Sequence, residues 1–221
     1  MADVKAMIAY RVAQELKDGD VVNLGIGLPT QVANYIPEGI EIALQSENGI
    51  INMGGVVKGD DVDPHIVNAG GTNVSVKEGA AFFDSATSFS IIRGGHVDMT
   101  VLGALQVDQE GNLASHIIPG KMAPGMGGAM DLVVGAKKVV IAMQHTQKGA
   151  HKIFEKISLP ATAVHCVDMI VTEMGVMEVT EKGLALRELA PGVTFDDIQA
   201  ATGCPLIVEG EIGVMATPPE A

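Results

Sequence analysis

The sequence predicts an α/β fold whose central strands are buried on both faces. Short aliphatic runs recur along the chain without the apolar/polar alternation of a half-exposed strand, as parallel strands covered on two sides require. Glycine makes up 27 of 221 residues, about 12% against a usual ~7%, and it falls in small clusters between those runs. Within the first fifty residues the order is strand, glycine turn, helix, strand, the rhythm of a wound sheet.

Taken in order, residues 4–17 read as a helix, with Asp3 as cap and Met7, Ile8, Val12 and Leu16 on one face. Asp18-Gly19-Asp20 ends it, and Val21 to Leu24 is a short buried strand. Gly25 to Thr30 is a turn leading into a helix through Tyr35, and Ile40 to Gln45 is the next strand, stopped by Ser46-Glu47-Asn48-Gly49. Residues 55–65 read as a loop, and Phe82 to Ile92 as a helix ending at Arg93-Gly94-Gly95. Val97 to Val107 and Leu113 to Ile118 flank a turn at residues 108–112, which makes a hairpin. Pro119 to Met130 is a second glycine-rich loop, followed by a short helix near Met130 to Gly135 and a buried strand at Val139 to Met143. Met169 to Thr172 and Val176 to Val179 are apolar, and Glu181-Lys182-Gly183 turns the chain into Leu184 to Leu189. Thr194 to Asp197 has the form of a capping box opening a last helix, which stops near Gly203. The tail from Thr217 is expected to fray. No repeat or linker interrupts residues 1–221, so one domain is expected.

Fourteen Lys and Arg stand against 27 Asp and Glu, a formal net charge of −13. With no basic run, no tryptophan and 3% aromatic residues, the chain lacks both the charge and the stacking surface that nucleic acid needs. No stretch approaches the roughly 18 consecutive apolar residues of a membrane span, and no basic-then-apolar leader opens the chain. Cys166 and Cys204 stand alone, as in a reduced compartment. The expected setting is therefore cytoplasmic.

Glu47 is the first candidate for chemistry. It directly follows an aliphatic strand, at the carboxyl end where open α/β sheets place their ligands, and Gly49 permits a sharp turn that fixes its direction. A carboxylate so placed serves as general base or covalent nucleophile; a solvated turn residue fits the same spacing. Asn23 puts a side-chain amide into a buried strand, where it needs partners. The turn around it fails the dinucleotide fingerprint at Pro29 and Thr30. In the second loop, Gly125-Met126-Gly127-Gly128-Ala129 precedes a helix, an arrangement that presents main-chain N–H groups as an oxyanion hole does; a surface loop would read alike. Lys121 fits either a ligand anion or solvent. His96 follows two glycines and fits either a site or a structural role. The six histidines show no metal-ligand spacing, no Gly-x-Ser-x-Gly elbow exists, and the twelve methionines are dispersed gap-fillers.

Six ordered segments then match a family: Asn23-Leu-Gly-Ile-Gly-Leu-Pro-Thr30, Gln45-Ser-Glu-Asn-Gly49, Asn68-Ala-Gly-Gly71, Ile92-Arg-Gly-Gly-His-Val-Asp98, Ile118-Pro-Gly-Lys121 and Gly125-Met-Gly-Gly-Ala-Met-Asp-Leu-Val133. From about residue 4 to about 204 the chain resembles the B (beta) chain of the family I 3-oxoacid CoA-transferases, the acetate/butyrate–acetoacetate type included. The resemblance implies an open three-layer αβα sandwich of the isomerase/CoA-transferase type. It implies Glu47 as the nucleophile that becomes a glutamyl-CoA thioester, Asn23 as a substrate-site residue, and Gly128 and Ala129 as contacts of the acyl oxygen. It implies ping-pong transfer of CoA between a short-chain acyl-CoA or acetoacetyl-CoA and a free carboxylic acid, with no metal or other cofactor and coenzyme A as substrate. It also implies a separate A (alpha) subunit as partner, in an AB heterodimer doubled to a heterotetramer. The charge agrees, because so acidic a chain is not expected to cradle CoA phosphates alone.

Two departures from the family pattern lie near the acyl site, Ile50-Ile-Asn-Met-Gly-Gly55 and Ser115-His116, and bear on substrate preference. Pro119-Gly-Lys121 favours the acetoacetate type over the 3-oxoadipate type. The alternatives are a sugar-phosphate isomerase of the same fold group, which needs a basic phosphate pocket, and a non-catalytic partner subunit, which needs no chemistry at Glu47.

Overall fold

A computed structural model describes residues 3–219; the last two residues of the expected frayed tail lie outside them, and 217–219 form no regular element. In chain order the elements are α1 (Val4–Ala13), β1 (Val21–Leu24), a 3₁₀ segment at Leu28–Tyr35, β2 (Ala43–Ser46), β3 (Ile50–Val56), β4 (Val74–Phe82), α2 (Ser85–Arg93) and β5 (Met99–Leu102). Then come β6 (Gln106–Asp108), β7 (Leu113–Ala114), α3 (Ala129–Gly135), β8 (Val139–Ala142), β9 (Thr146–Gln147), β10 (Ala150–His151) and β11 (Ile153–Phe154). The chain finishes with β12 (Met169–Val171), β13 (Gly175–Thr180), β14 (Gly183–Leu189), α4 (Phe195–Ala201), β15 (Leu206–Ile207) and β16 (Gly213–Val214).

Eleven strands form one sheet in the order β15-β14-β13-β12-β8-β5-β1-β2-β3-β4, with β16 also on β14. Its centre, β12-β8-β5-β1-β2, is parallel, and antiparallel strands flank it on both sides. Alternation along β8 divides the core in two. Val139 and Ile141 pack with Ile92 of α2, Leu132 and Val133 of α3, and Ile198 of α4. Val140 and Ala142 pack with Ile8 and Val12 of α1 and with Val32. Helices therefore cover both faces, which is the three-layer α/β/α arrangement. Ile8 and Val12 are fully buried, and each such side chain stabilises the fold by roughly 1.5–3 kcal/mol.

Local signals set several elements as expected. Asp3 caps α1 by accepting from the Lys5 N–H, and Thr194 and Asp197 form a complete capping box on α4. β1 has the predicted bounds, and the 108–112 turn joins β6 to β7 as an antiparallel hairpin. Buried Asp108 organises that turn, accepting from the main-chain N–H of Glu110, Asn112 and Ile157 and from the Asn112 side-chain amide at 3.0–3.1 Å.

Other expectations are corrected. α1 ends at Ala13 and not residue 17; Glu15 and Leu16 close tight turns onto Val12 and Ala13. The segment after Gly25 is 3₁₀ rather than α, and the second strand begins at Ala43 rather than Ile40. Phe82 is the last residue of β4, so α2 starts later, at Ser85 behind the Asp84 cap. The run Val97 to Val107 is two strands, β5 in the large sheet and β6 in a three-stranded one with β7 and β11. The β3–β4 ribbon was not foreseen. It is largely exposed, carries Gly54-Gly55 and breaks register twice, so no clean period of two survives in its sequence.

Candidate active site

The site forms where β1 and β2 end. The parallel register places Asn23 beside Gln45, both about 1% exposed, on the same face of the sheet as Glu47 two residues further on. The Asn23 side-chain amide donates to Gln45 Oε1 at 2.7 Å, to the Gln45 main-chain oxygen at 3.1 Å and, at 3.4 Å, to Glu47 Oε2. Gln45 in turn donates through Nε2 to Ser88 Oγ of α2 at 2.9 Å. With one Gln45 N–H on Ser88, Gln45 presents its carbonyl to Asn23, and the Asn23 amide turns its N–H groups toward Gln45 and Glu47. Asn23 Oδ1 is buried without a donor among the described residues, an open acceptor on a residue that lines the cavity.

Glu47 is half-buried at the head of the β2–β3 turn. Gly49 makes that turn possible: its φ is +118°, and a Cβ there would lie 1.9 Å from the Phe83 carbonyl oxygen, which no side chain tolerates. The loop at 67–71 is tied down beside it, since Asn48 Nδ2 donates to the Val67 oxygen at 2.7 Å and the Ala69 N–H donates to Ser46 Oγ at 3.0 Å. From the other side Gly128 closes on Glu47: a Cβ at Gly128 would lie 3.2 Å from Glu47 Cγ and 3.4 Å from the Phe89 ring.

Glu47, Asn23, Gly128 and Ala129 all line one cavity of about 680 Å³, as do the departures at 53–55 and Ser115-His116. The Gly128 N–H donates to no acceptor among the described residues, whereas the Ala129 N–H closes a turn onto the Met126 oxygen at 3.2 Å. Of the two, Gly128 therefore has the freer donor. Buried His116 is held with Ser115 against Thr162, Oγ to Oγ1 2.8 Å and Nδ1 to Oγ1 3.2 Å. Lys121 and His96 are exposed and do not line the cavity. Neither cysteine lines it, and burial pushes both thiols up to about 11. Among the described residues no group of three or more His, Cys, Asp or Glu side chains is placed to hold a metal ion, and no helix is long and apolar enough to cross a membrane. Gln45 and Ser88 were missed from sequence. The available signal was the position of Gln45, a second polar residue in a buried strand, two before the candidate carboxylate.

A carboxylate at the carboxyl edge of a parallel sheet, steered by an amide and facing a glycine loop, has named relatives. The Coenzyme A transferase family matches residues 5–201. The chain belongs to that family. The beta subunit of an acetate CoA-transferase from Escherichia coli (strain K12) is 56% identical over 201 residues, 90% of this chain and 92% of that one. A human succinyl-CoA:3-ketoacid coenzyme A transferase 2, mitochondrial, is 46% identical over 216 residues, which are 96% of this chain but 42% of that protein. Among solved structures, an acyl-CoA transferase apoenzyme from E. coli O157:H7 superposes with TM-score 0.80 at 25% identity, covering 97% of this chain and 43% of that one. A glutaconate coenzyme A-transferase from Acidaminococcus fermentans, at 20% identity and TM-score 0.69, shares the fold over 96% of this chain and 90% of that one. The transferase is thus of the beta type, matching nearly the whole of the bacterial beta chain and less than half of the longer single chains.

Proposed function

We propose that this CoA-transferase chain carries the nucleophile and works by ping-pong transfer through a glutamyl-CoA thioester at Glu47. The observation that carries the reading is the position of Glu47, beside the Asn23 amide at 3.4 Å and under the Gly128 backbone in a 680 Å³ cavity. A Glu47 oxygen attacks the acyl-CoA carbonyl carbon, and collapse of the tetrahedral adduct breaks the C–S bond, leaving an acyl-glutamyl anhydride and CoA thiolate. The thiolate attacks the Glu47 carbonyl carbon, expels the first carboxylate and leaves the thioester. A second carboxylate attacks that thioester, releasing thiolate again. The thiolate then takes the acyl group from the new anhydride, and Glu47 returns as carboxylate. No net proton moves, and the steps call for no metal or redox cofactor, with coenzyme A as a substrate. Each addition places negative charge on an oxygen, and we assign its stabilisation to the Gly128 N–H, which is free of other acceptors among the described residues, on a residue that lines the cavity.

Short-chain acyl groups suit the apolar part of the cavity wall, which includes Met53, Leu102, Leu105 and Met126. Relatives named for acetate and 3-ketoacid transfer agree. A separate alpha subunit is the expected partner, in an AB heterodimer doubled to a heterotetramer in the cytoplasm: relatives of this length are named beta subunits, and apolar Ile26, Val56 and Met126 stand exposed at the cavity.

Incubating the assembled enzyme with acyl-CoA and no acceptor acid tests the mechanism. Borohydride reduces a thioester to an alcohol, and peptide mass spectrometry is expected to place that change within residues 45–49. Glu47→Gln keeps shape but removes the attacking oxygen, so it is expected to assemble and transfer nothing. Retracting the carboxylate by one methylene in Glu47→Asp is expected to cost on the order of 10² in turnover. Full activity of Glu47→Gln, or labelling of another carboxylate, overturns the reading.

A further inference from the structure

A second recess of about 220 Å³ adjoins the Glu47 cavity, and Ile26, Gly103 and Ala104 line both. It lies at the same carboxyl edge of the sheet, past the ends of β5 and β8. Its charged lining residues are Lys5 and Lys152; no carboxylate lines it, in a chain with 27 acidic and 14 basic residues. Lys152 is half-buried, and its ammonium has neither a hydrogen bond nor an ion pair among the described residues. Burial pushes its pKa down, and Glu173 only partly opposes that from beyond contact distance. Lys5 occupies the first turn of α1, which holds no acidic residue and where the helix dipole adds positive potential. Asp3, the neighbouring carboxylate, caps α1 from outside the recess. A desolvated ammonium without a counter-charge is unfavourable, and an anionic ligand would relieve it.

We propose that Lys152, assisted by Lys5, forms an anion subsite that holds the phosphate end of coenzyme A while the thiol end lies at Glu47. This rests on the transferase reading above and extends it to which residues hold the substrate's remote charges. Binding energy gathered there positions the thioester at Glu47 without touching the reacting atoms.

The test uses the assembled enzyme and adenosine 3′,5′-bisphosphate, followed by calorimetry at low salt. Lys152→Gln is expected to weaken binding by about tenfold to a hundredfold, the worth of a charge-assisted contact, and Lys152→Arg to restore most of it. In kinetics, Lys152→Gln is expected to reduce the preference for acyl-CoA over acyl-pantetheine by a comparable factor, because the truncated substrate carries no phosphate. Bisphosphate binding that is insensitive to Lys152→Gln, or displaced equally well by inorganic phosphate at the same concentration, overturns the proposal. Failure of Lys152→Gln to assemble with its partner also overturns it, since Lys152 would then pair with that partner. Lys152-dependent bisphosphate binding by an enzyme that forms no thioester would leave the subsite standing and remove the mechanism at Glu47.

Discussion

At the residue scale, Glu47 is steered through three buried side chains. Asn23 touches it, Gln45 sets which way the Asn23 amide faces, and Ser88 sets which way the Gln45 amide faces. Removing the middle of such a chain frees the amide to rotate without emptying the cavity. Gln45→Met, similar in volume, is therefore expected to lower turnover about tenfold to a hundredfold, with a smaller effect on KM for acyl-CoA. Ser88→Ala is expected to do part of the same damage, and the double variant to fall short of the sum, because both act on one network. Steady-state kinetics of the four enzymes checks this, and strict additivity would separate Ser88 from the site.

At the scale of elements, turns do most of the positioning. Gly49 brings the β2–β3 turn against Phe83, whose N–H donates to the Gly49 oxygen at 3.0 Å, and this braces Glu47 from below. The β6–β7 hairpin depends on the Asp108 carboxylate, which takes four donors in a fully buried place. Asp108→Leu fills the volume but orphans those donors, so it is expected to cost about 3 kcal/mol or more of stability. Urea unfolding checks the figure; a loss below 1 kcal/mol (roughly one hydrogen bond's worth) would mean that the turn holds without it. The 108–112 turn was legible because Asp, Gly and Asn in sequence carry a local mechanism. The β3–β4 ribbon was not legible, because its residues are chosen by an exposed, bulged pairing whose strands are joined by the long 57–73 connection and not by a tight turn.

At the scale of the molecule, His145 gives stability a pH dependence. It is fully buried, its ring lies between Thr172 Oγ1 at 2.9 Å and Thr202 Oγ1 at 3.0 Å, and burial, with the charge of His151 adding to it, pushes its pKa down to about 4 from 6.5. The unfolded chain takes up this proton near pH 6.5 while the folded chain refuses it until about pH 4. The contribution is therefore complete above pH 6.5 and is lost as pH falls toward 4, a change of roughly 2–3 kcal/mol. Denaturation at pH 7.5 and at 4.5 is expected to show that loss, and His145→Gln to flatten it. The chain without an alpha partner is expected to be inactive, since the cavity opens at exposed Ile26, Val56 and Met126 and a thioester needs water excluded. Co-expression is expected to restore transfer; robust activity of the isolated chain would refute the need for a partner.

The sequence by itself determined the α/β class, the strand ending at Glu47, the caps of α1 and α4 and the two glycine segments that meet at the site. Those follow from local rules: apolar runs bury, carboxylates and threonines cap, glycine turns. Only the tertiary structure decided that Asn23 and Gln45 share a register, that Ser88 of a distant helix fixes their amides, and that Gly128 rather than Ala129 has the freer N–H. It also brought Lys5 and Lys152 to one recess in an acidic chain. Such pairings depend on strand order and helix placement, which no short window of sequence contains, because the burial that drives them is shared among residues tens of positions or more apart.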